Sequence, residues 1–278
     1  MTPEPDTTPA APLPRCHRFL DECGDTTFFG KARVPVLGRD GVSLAFGLGL
    51  VKFNIPVEDA RSQVKALAGA IEGDEFFRVI PSVQKRIAAG GFHFHAKDDV
   101  PEIRERLFRW IKANDLTLEL VMARKIPAIF AHKHNHHENE FYADLLSHLL
   151  KTKLKLDQRL VINIASRGST TRQHTLDLAL EKARQRFAKK HDASSESCEV
   201  VFNVQTPQTE PLLSVADYLS WAVQRVFERG DTRYYDYIRE RVAVVVDLYD
   251  SAHYEKGRNY YTPKRPLTAA NKLSPPTP

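Results

Sequence analysis

The sequence predicts an α/β fold, a mixed β-sheet with helices packed on it. Three observations carry this. Extended runs joined by short turns open the chain. Amphipathic helices and apolar strands then alternate. The run 160–165 (Leu-Val-Ile-Asn-Ile-Ala) is apolar almost throughout, as in a central strand covered on both faces.

Taken in order, residues 1–14 carry five prolines, which suits a disordered or extended arm. A first strand is expected over 18–22, broken by Gly24. A second extended run covers 28–37, and Gly38-Arg39-Asp40-Gly41 makes a turn. A third run covers 42–53, so the opening reads as an antiparallel meander. Ala60, Val64, Leu67, Ala68 and Ile71 recur at helical spacing and predict a helix over 57–71. If Phe92-His93-Phe94-His95-Ala96 is extended, its two Phe point one way and its two His the other. A helix follows, with Asp98 or Asp99 as its cap, Pro101 in its first turn and Ile103, Leu107, Trp110 and Ile111 as its stripe. A strand is expected over 116–124, a His-rich loop over 132–137 and a helix over 138–150. After the central strand come a helix over 173–189, a strand over 198–204 and a last helix over 212–228. The body is thus expected over 15–232. Residues 233–262 read as a helical appendage and 263–278, with five more prolines, as a disordered tail.

Hydrophobic residues make up 42% of the 278 and charged residues 27%, which fits a globular chain with a real core. The net charge of +5 permits contact with a polyanion without requiring it. Three scattered cysteines, Cys16, Cys23 and Cys198, give neither a disulfide framework nor a zinc ribbon, so no disulfide-linked partner is expected. No apolar run approaches the ~20 residues of a membrane span, and the start lacks the basic and apolar segments of a signal peptide. A cytoplasmic protein with reduced thiols is the simplest expectation.

Five groups could carry chemistry. Asp21, Glu22 and Asp25 crowd the end of the first strand, where carboxylates suit Mg²⁺ or Mn²⁺. Within a strand Asp21 and Glu22 face opposite ways, and Asp25 can curl back past Gly24. A solvated turn would also account for them. Asp217 lies in the last helix. The wheel puts it almost opposite the apolar face of Val215, Leu219, Ala222 and Val226, on a side that Leu213 and Trp221 at least partly cover. His93 and His95 could reach a metal, a phosphate or a proton in flight. The His132–His137 loop could hold zinc, although no cysteine is near it. The 166–172 segment, with Arg167, Ser169 and Arg172, joins a strand to a helix N-terminus and suits phosphate. Phosphate-loop, dinucleotide and nucleophile-elbow motifs are absent.

The opening Phe19-Leu20-Asp21-Glu22-Cys23-Gly24-Asp25, together with Ser214-Val215-Ala216-Asp217-Tyr218-Leu219-Ser220-Trp221, resembles a bacterial and phage family of unknown function. That family opens with a strand ending in Asp-Glu-Ser-Gly and closes with a helix carrying Ala-Asp-Tyr. The resemblance covers about residues 17–228. It implies a ribonuclease-H-like fold: a central mixed sheet, antiparallel in its first three strands, with helices on both faces. It also implies that Asp21 and Asp217 converge on Mg²⁺ or Mn²⁺, with Glu22 and Asp25 in the opening box and His95 in a region between. Cys23 stands where the family has Ser, and Asn163 or Ser166 stands where ribonuclease H has a fourth-strand acid. A nuclease with nucleic acid as partner is the resulting expectation, with catalytic Asp21, Asp217 and His95. A binding module without turnover on the same scaffold, or a zinc hydrolase built on the His loop, are the other readings.

Overall fold

A computed structural model describes residues 13–39, 41–154, 158–166, 173–191, 199–255 and 257–275. The elements in chain order are β1 (Arg15–Cys23), β2 (Ala45–Phe53), α1 (Val57–Gly73), α2 (Glu75–Arg78), α3 (Pro81–Ala88), α4 (Pro101–Ala113), β3 (Leu116–Arg124), α5 (Pro127–His134), α6 (Glu138–Leu150), β4 (Arg159–Ala165), α7 (Gln173–His191), β5 (Glu199–Gln205), α8 (Leu212–Arg229), α9 (Arg233–Ile238), β6 (Val242–Leu248), α10 (Ser251–Tyr254) and β7 (Tyr260–Tyr261).

The strands form one mixed sheet in the order β5-β4-β1-β2-β3-β6-β7. β2 runs antiparallel to both of its neighbours, β1 and β3. β4 and β5 lie parallel to β1, and β6 lies parallel to β3. Side-chain alternation divides the core into two layers. Phe19 and Cys23 of β1 face α1, α4 and α8. Leu20 of β1 and Phe46, Leu48 and Leu50 of β2 face α6 and α7.

β2 is asymmetric in the same way. Its α8 face carries Gly47 and Gly49. A Cβ on Gly49 would stand 2.1 Å from the Ser220 Oγ, and one on Gly47 would stand 2.8 Å from the Cys23 Sγ. The missing side chains let α8 lie close on the strands. α8 is apolar almost all round, which suits a helix enclosed on most sides, and 13 of its 18 residues are buried. It ends at Gly230, whose φ of 68° and backbone N–H to the Val226 carbonyl make a left-handed cap.

Four expectations are corrected. The run 28–37 is not a strand. It holds one isolated bridge, Phe29 to Pro35, and a turn with positive φ at Ala32 and Arg33, so the third antiparallel strand is β3, beyond the helical stretch 57–113. Residues 132–134 of the His-rich segment belong to helix α5. Residues 233–262 are not an appendage. β6 joins the sheet beside β3, clamped by Arg124 Nη2, 2.7 Å from Asp247 and 2.8 Å from Asp250. The tail expected to be disordered over 263–278 instead straps the molecule as far as residue 275. Leu267 is buried, Thr268 caps a short turn, and the Leu273 N–H reaches the Phe227 carbonyl.

Candidate functional site

Strand alternation settles where the opening acids go. Asp21 shares the α8 face with Phe19 and Cys23, and Glu22 points with Leu20 to the α6 face. Asp21 pairs in register with Gly49, the residue against which Ser220 packs. Asp217 precedes Ser220 on α8 by about one turn.

The wheel's outer side for Asp217 is not solvent. Residues 92–99 cross it as a loop that ends in a turn over 96–98, with Phe92, Phe94 and Ala96 buried and His93 and His95 alternating with them. The expected alternation holds without a strand. α8 grips this loop twice. The Ser214 hydroxyl donates to the Phe94 carbonyl at 2.8 Å, and the Asp217 Oδ2 accepts the Ala96 N–H at 2.7 Å. Arg104 secures the other side, donating to the Ala96 and Lys97 carbonyls. Asp99 does not cap α4, whose N-cap is Val100. It is buried and accepts from Arg86, from the Tyr218 hydroxyl and from the His95 N–H. The His95 backbone is thereby fixed. Its ring is 42% exposed, with Nδ1 3.5 Å from Asp98.

The electrostatics follow from this enclosure. Burial raises the Asp217 carboxyl to about 6, against the pull of His95 and the Ala96 N–H, and Asp99 and Asp98 add repulsion. Burial also raises Asp99, which Arg86 opposes. The Cys23 thiol is held well above its ordinary value by burial and then by Asp21, Glu228, Asp217 and Glu22. Acids from β1 and from α8, Asp21 and Glu22 with Glu228 and Asp217, therefore all act on one sulfur.

Asp25 is placed differently. Its Oδ2 accepts from the Ser43 N–H and hydroxyl, and its Oδ1 from the Thr27 N–H and the buried Lys125 ammonium. Burial pushes its carboxyl up, but Ser43 and Lys125 outweigh it and leave it below its ordinary value. Asp25 thus locks the turn after β1. Gly24 is required there, since its φ is 84° and a Cβ would stand 2.4 Å from the Ala45 carbonyl.

Glu228 was not singled out by the sequence reading. Its Oε1 accepts the Leu44 and Ala45 N–H groups at 2.8 and 3.0 Å. The signal was periodicity: Asp217, Gln224 and Glu228, separated by seven and eleven residues, share one stripe of α8. Trp221, Gln224 and Glu228 line a cleft of about 630 Å³ that Gly24 and Ser43 border, and Lys97, Arg225, Arg229 and Lys272 make it basic.

Arg167, Ser169 and Arg172 lie outside the described residues. Asn163 is buried, accepting from Gln205 at 2.9 Å and donating to the Arg18 carbonyl. Of the four clustered histidines only His134 is buried, and its Nε2 contacts Asp144 and Tyr249. Among the described residues no three His, Cys, Asp or Glu side chains stand together as a preformed metal site. No helix among them is long and apolar enough to cross a membrane. Comparison with protein-family models and with curated protein sequences finds no match to this chain.

Proposed function

We propose that this chain is a metal-dependent nuclease on a ribonuclease-H-like scaffold. The observation that carries the reading is the register of Asp21 with Gly49, the residue against which Ser220 of α8 packs, about one turn from Asp217. The strand order β5-β4-β1-β2-β3, antiparallel through β1 to β3 and parallel at β4, supports the scaffold; β6 and β7 extend it.

Asp21 and Asp217 fit a hard divalent ion, Mg²⁺ or Mn²⁺. Mg²⁺ keeps several waters and takes one or two carboxylates. The Ala96 N–H occupies only the Asp217 Oδ2, which leaves Oδ1 to the site. Glu22, on the opposite face, and Asp25, with both oxygens engaged, do not join this set. A bound ion would supply water activation and charge stabilisation at the phosphate. The chain supplies the rest. A carboxyl with a pKa of about 6 can hold or accept a proton near neutrality. His95 stands half-exposed beside Asp98, on the loop that Asp217 holds, placed to move a proton. Lys97, Arg225, Arg229 and Lys272 draw a phosphodiester backbone into the cleft. A reducing cytoplasmic setting belongs to this reading, with Cys16 and Cys23 as free thiols.

The test is hydrolysis of RNA and DNA oligonucleotides with Mg²⁺ or Mn²⁺, beside Asp21→Asn and Asp217→Asn. Each substitution should lower the rate on the order of a hundredfold and remove the Mn²⁺ binding heat in calorimetry. Equal rates for all three proteins would refute the proposal. The tie between Asp217 and the Ala96 N–H favours one second reading, a nucleic-acid-binding module without turnover. It would bind oligonucleotides with no metal heat that depends on Asp21.

A further inference from the structure

We propose that the groove between α5, α6 and α7 is a binding site for a phosphate group. It lies on the α6 face of the sheet, away from Asp21 and Asp217, and does not depend on the nuclease reading. The groove is about 270 Å³, lined by Lys133, Asp144, Lys182, Gln185, Arg186 and Lys189. Positions 182, 186 and 189 of α7 fall four and seven residues apart, so three cations form one helical stripe.

The floor of the groove is built. The Asp144 side chain is 4% exposed. Its Oδ1 holds Arg186, and its Oδ2 takes Lys133 at 2.9 Å and the Tyr249 hydroxyl at 2.8 Å. One carboxylate thus orients two of the four cations and neutralises one charge, which leaves a surplus of three at the groove. Behind Asp144, burial and then the Arg186 charge depress the His148 ring to about 3, which Asp144 only partly opposes. His134, the ring nearest Asp144 on α5, is spent on Asp144 and Tyr249.

This chemistry selects a phosphate. A metal cation would be repelled, and a carboxylate, with a single charge, would offset less of the surplus than a phosphate does. A phosphate can accept from a guanidinium and several ammonium groups at once. The volume falls below the ~300–1,000 Å³ of pockets that enclose a whole ligand. The site therefore suits a single phosphate, either free or projecting from a nucleic acid.

The experiment uses the full chain and two probes. Inorganic phosphate is titrated and followed by thermal shift, because a ligand specific to the native state raises Tm. A 5′-phosphorylated single-stranded decamer and its unphosphorylated twin are titrated by fluorescence anisotropy. The variants are Lys182→Ala/Lys189→Ala, Lys182→Glu/Lys189→Glu and, as a control for general charge, Lys65→Ala on the distant α1. Saturable phosphate binding is expected in the wild type, weakened at least tenfold in the double alanine variant and lost in the double glutamate variant. Lys65→Ala, Asp21→Asn and Asp217→Asn should bind phosphate as the wild type does. A decamer that gains affinity through its 5′-phosphate assigns the group to nucleic acid; equal binding of the twins assigns it to a free anion. Absence of a saturable response in the wild type, double variants that bind normally, or equal weakening by Lys65→Ala would each overturn the site.

Discussion

Asp144 and Asp217 sit on helices packed against opposite faces of one sheet, and both are taken largely out of water. Their carboxyls move in opposite directions. Asp144 accepts from Arg186, Lys133, His134 and Tyr249 and is held far below the ordinary carboxylate range, although burial alone would raise it. Asp217 accepts one backbone N–H, has Asp98 and Asp99 as neighbours, and rises to about 6. Burial is common to both, so the supply of donors decides the sign. A satisfied acid organises its layer. An unsatisfied one beside a cleft is poised to take a proton or a cation, which makes it the stronger functional candidate.

The largest effect should come from breaking the satisfied acid. Asp144→Ala leaves the part-buried Arg186 without its counter-charge and the buried His134 ring without its partner, and should cost about 3–5 kcal/mol at neutral pH. The folded-state pKa is lowered, so the contribution of Asp144 is present above the unfolded value near 3.8 and fades as pH falls below it. Urea unfolding at pH 7 and pH 3 measures both. A loss under about 1 kcal/mol at pH 7 would mean a set of solvated pairs, and the contrast with Asp217 would collapse.

A smaller effect separates the faces through β2. Phe46, Leu48 and Leu50 fill the α6 side with bulk, whereas on the α8 side Gly47 and Gly49 leave the middle of the strand bare between Ala45 and Val51. Gly49→Ala drives a Cβ into the Ser220 Oγ and should cost about 1–3 kcal/mol as overpacking. Because Ser220 follows Asp217 by about one turn, the substitution should also lower the raised Asp217 pKa by admitting water. NMR titration of the carboxyl reads that shift. A destabilised variant with an unmoved Asp217 would show that the close seating of α8 does not set the electrostatics.

What was legible in the sequence follows the range of the interactions. The facing of Asp21 and Glu22 needs only the two-residue period of a strand, and the helix of Asp217 only its apolar repeat. The burial of Asp217 was hidden, because a helical wheel carries no information about residues 92–99 crossing it from far upstream. Asp25 shows both kinds: its bond to the Thr27 N–H is a local turn contact, while its pairing with Lys125 spans a hundred residues. β6 had a β-branched signature, Val242-Ala243-Val244-Val245-Val246, but its partner β3 is remote in sequence and the aromatic, charged stretch before it drew a helical reading. In the tail, proline content masked the two apolar residues that matter, Leu267 and Leu273. The run 28–37 had strand composition and no partner strand, and composition alone does not make a strand.

The smallest and most discriminating effect is the pH slope of Asp217. Its folded pKa, about 6, lies above the ordinary 3.8, so the fold favours the neutral acid. The resulting stability is fully present below about pH 3.8 and is lost as pH rises through 6. At 1.36 kcal/mol per pKa unit the span is at most about 3 kcal/mol. Asp217→Asn removes the charge, while its amide oxygen can still accept the Ala96 N–H. The variant should therefore be more stable than wild type at pH 7 by roughly 1–2 kcal/mol in the presence of a chelator, and close to it at pH 4. Adding Mg²⁺ should restore wild-type stability at pH 7 and leave the variant unmoved. Such a reversal would tie the strain at this carboxyl to a cation rather than to folding. Parallel pH profiles for the two proteins would mean that the fold does not shift the Asp217 carboxyl at all, and the case for a site on the α8 face would go with it.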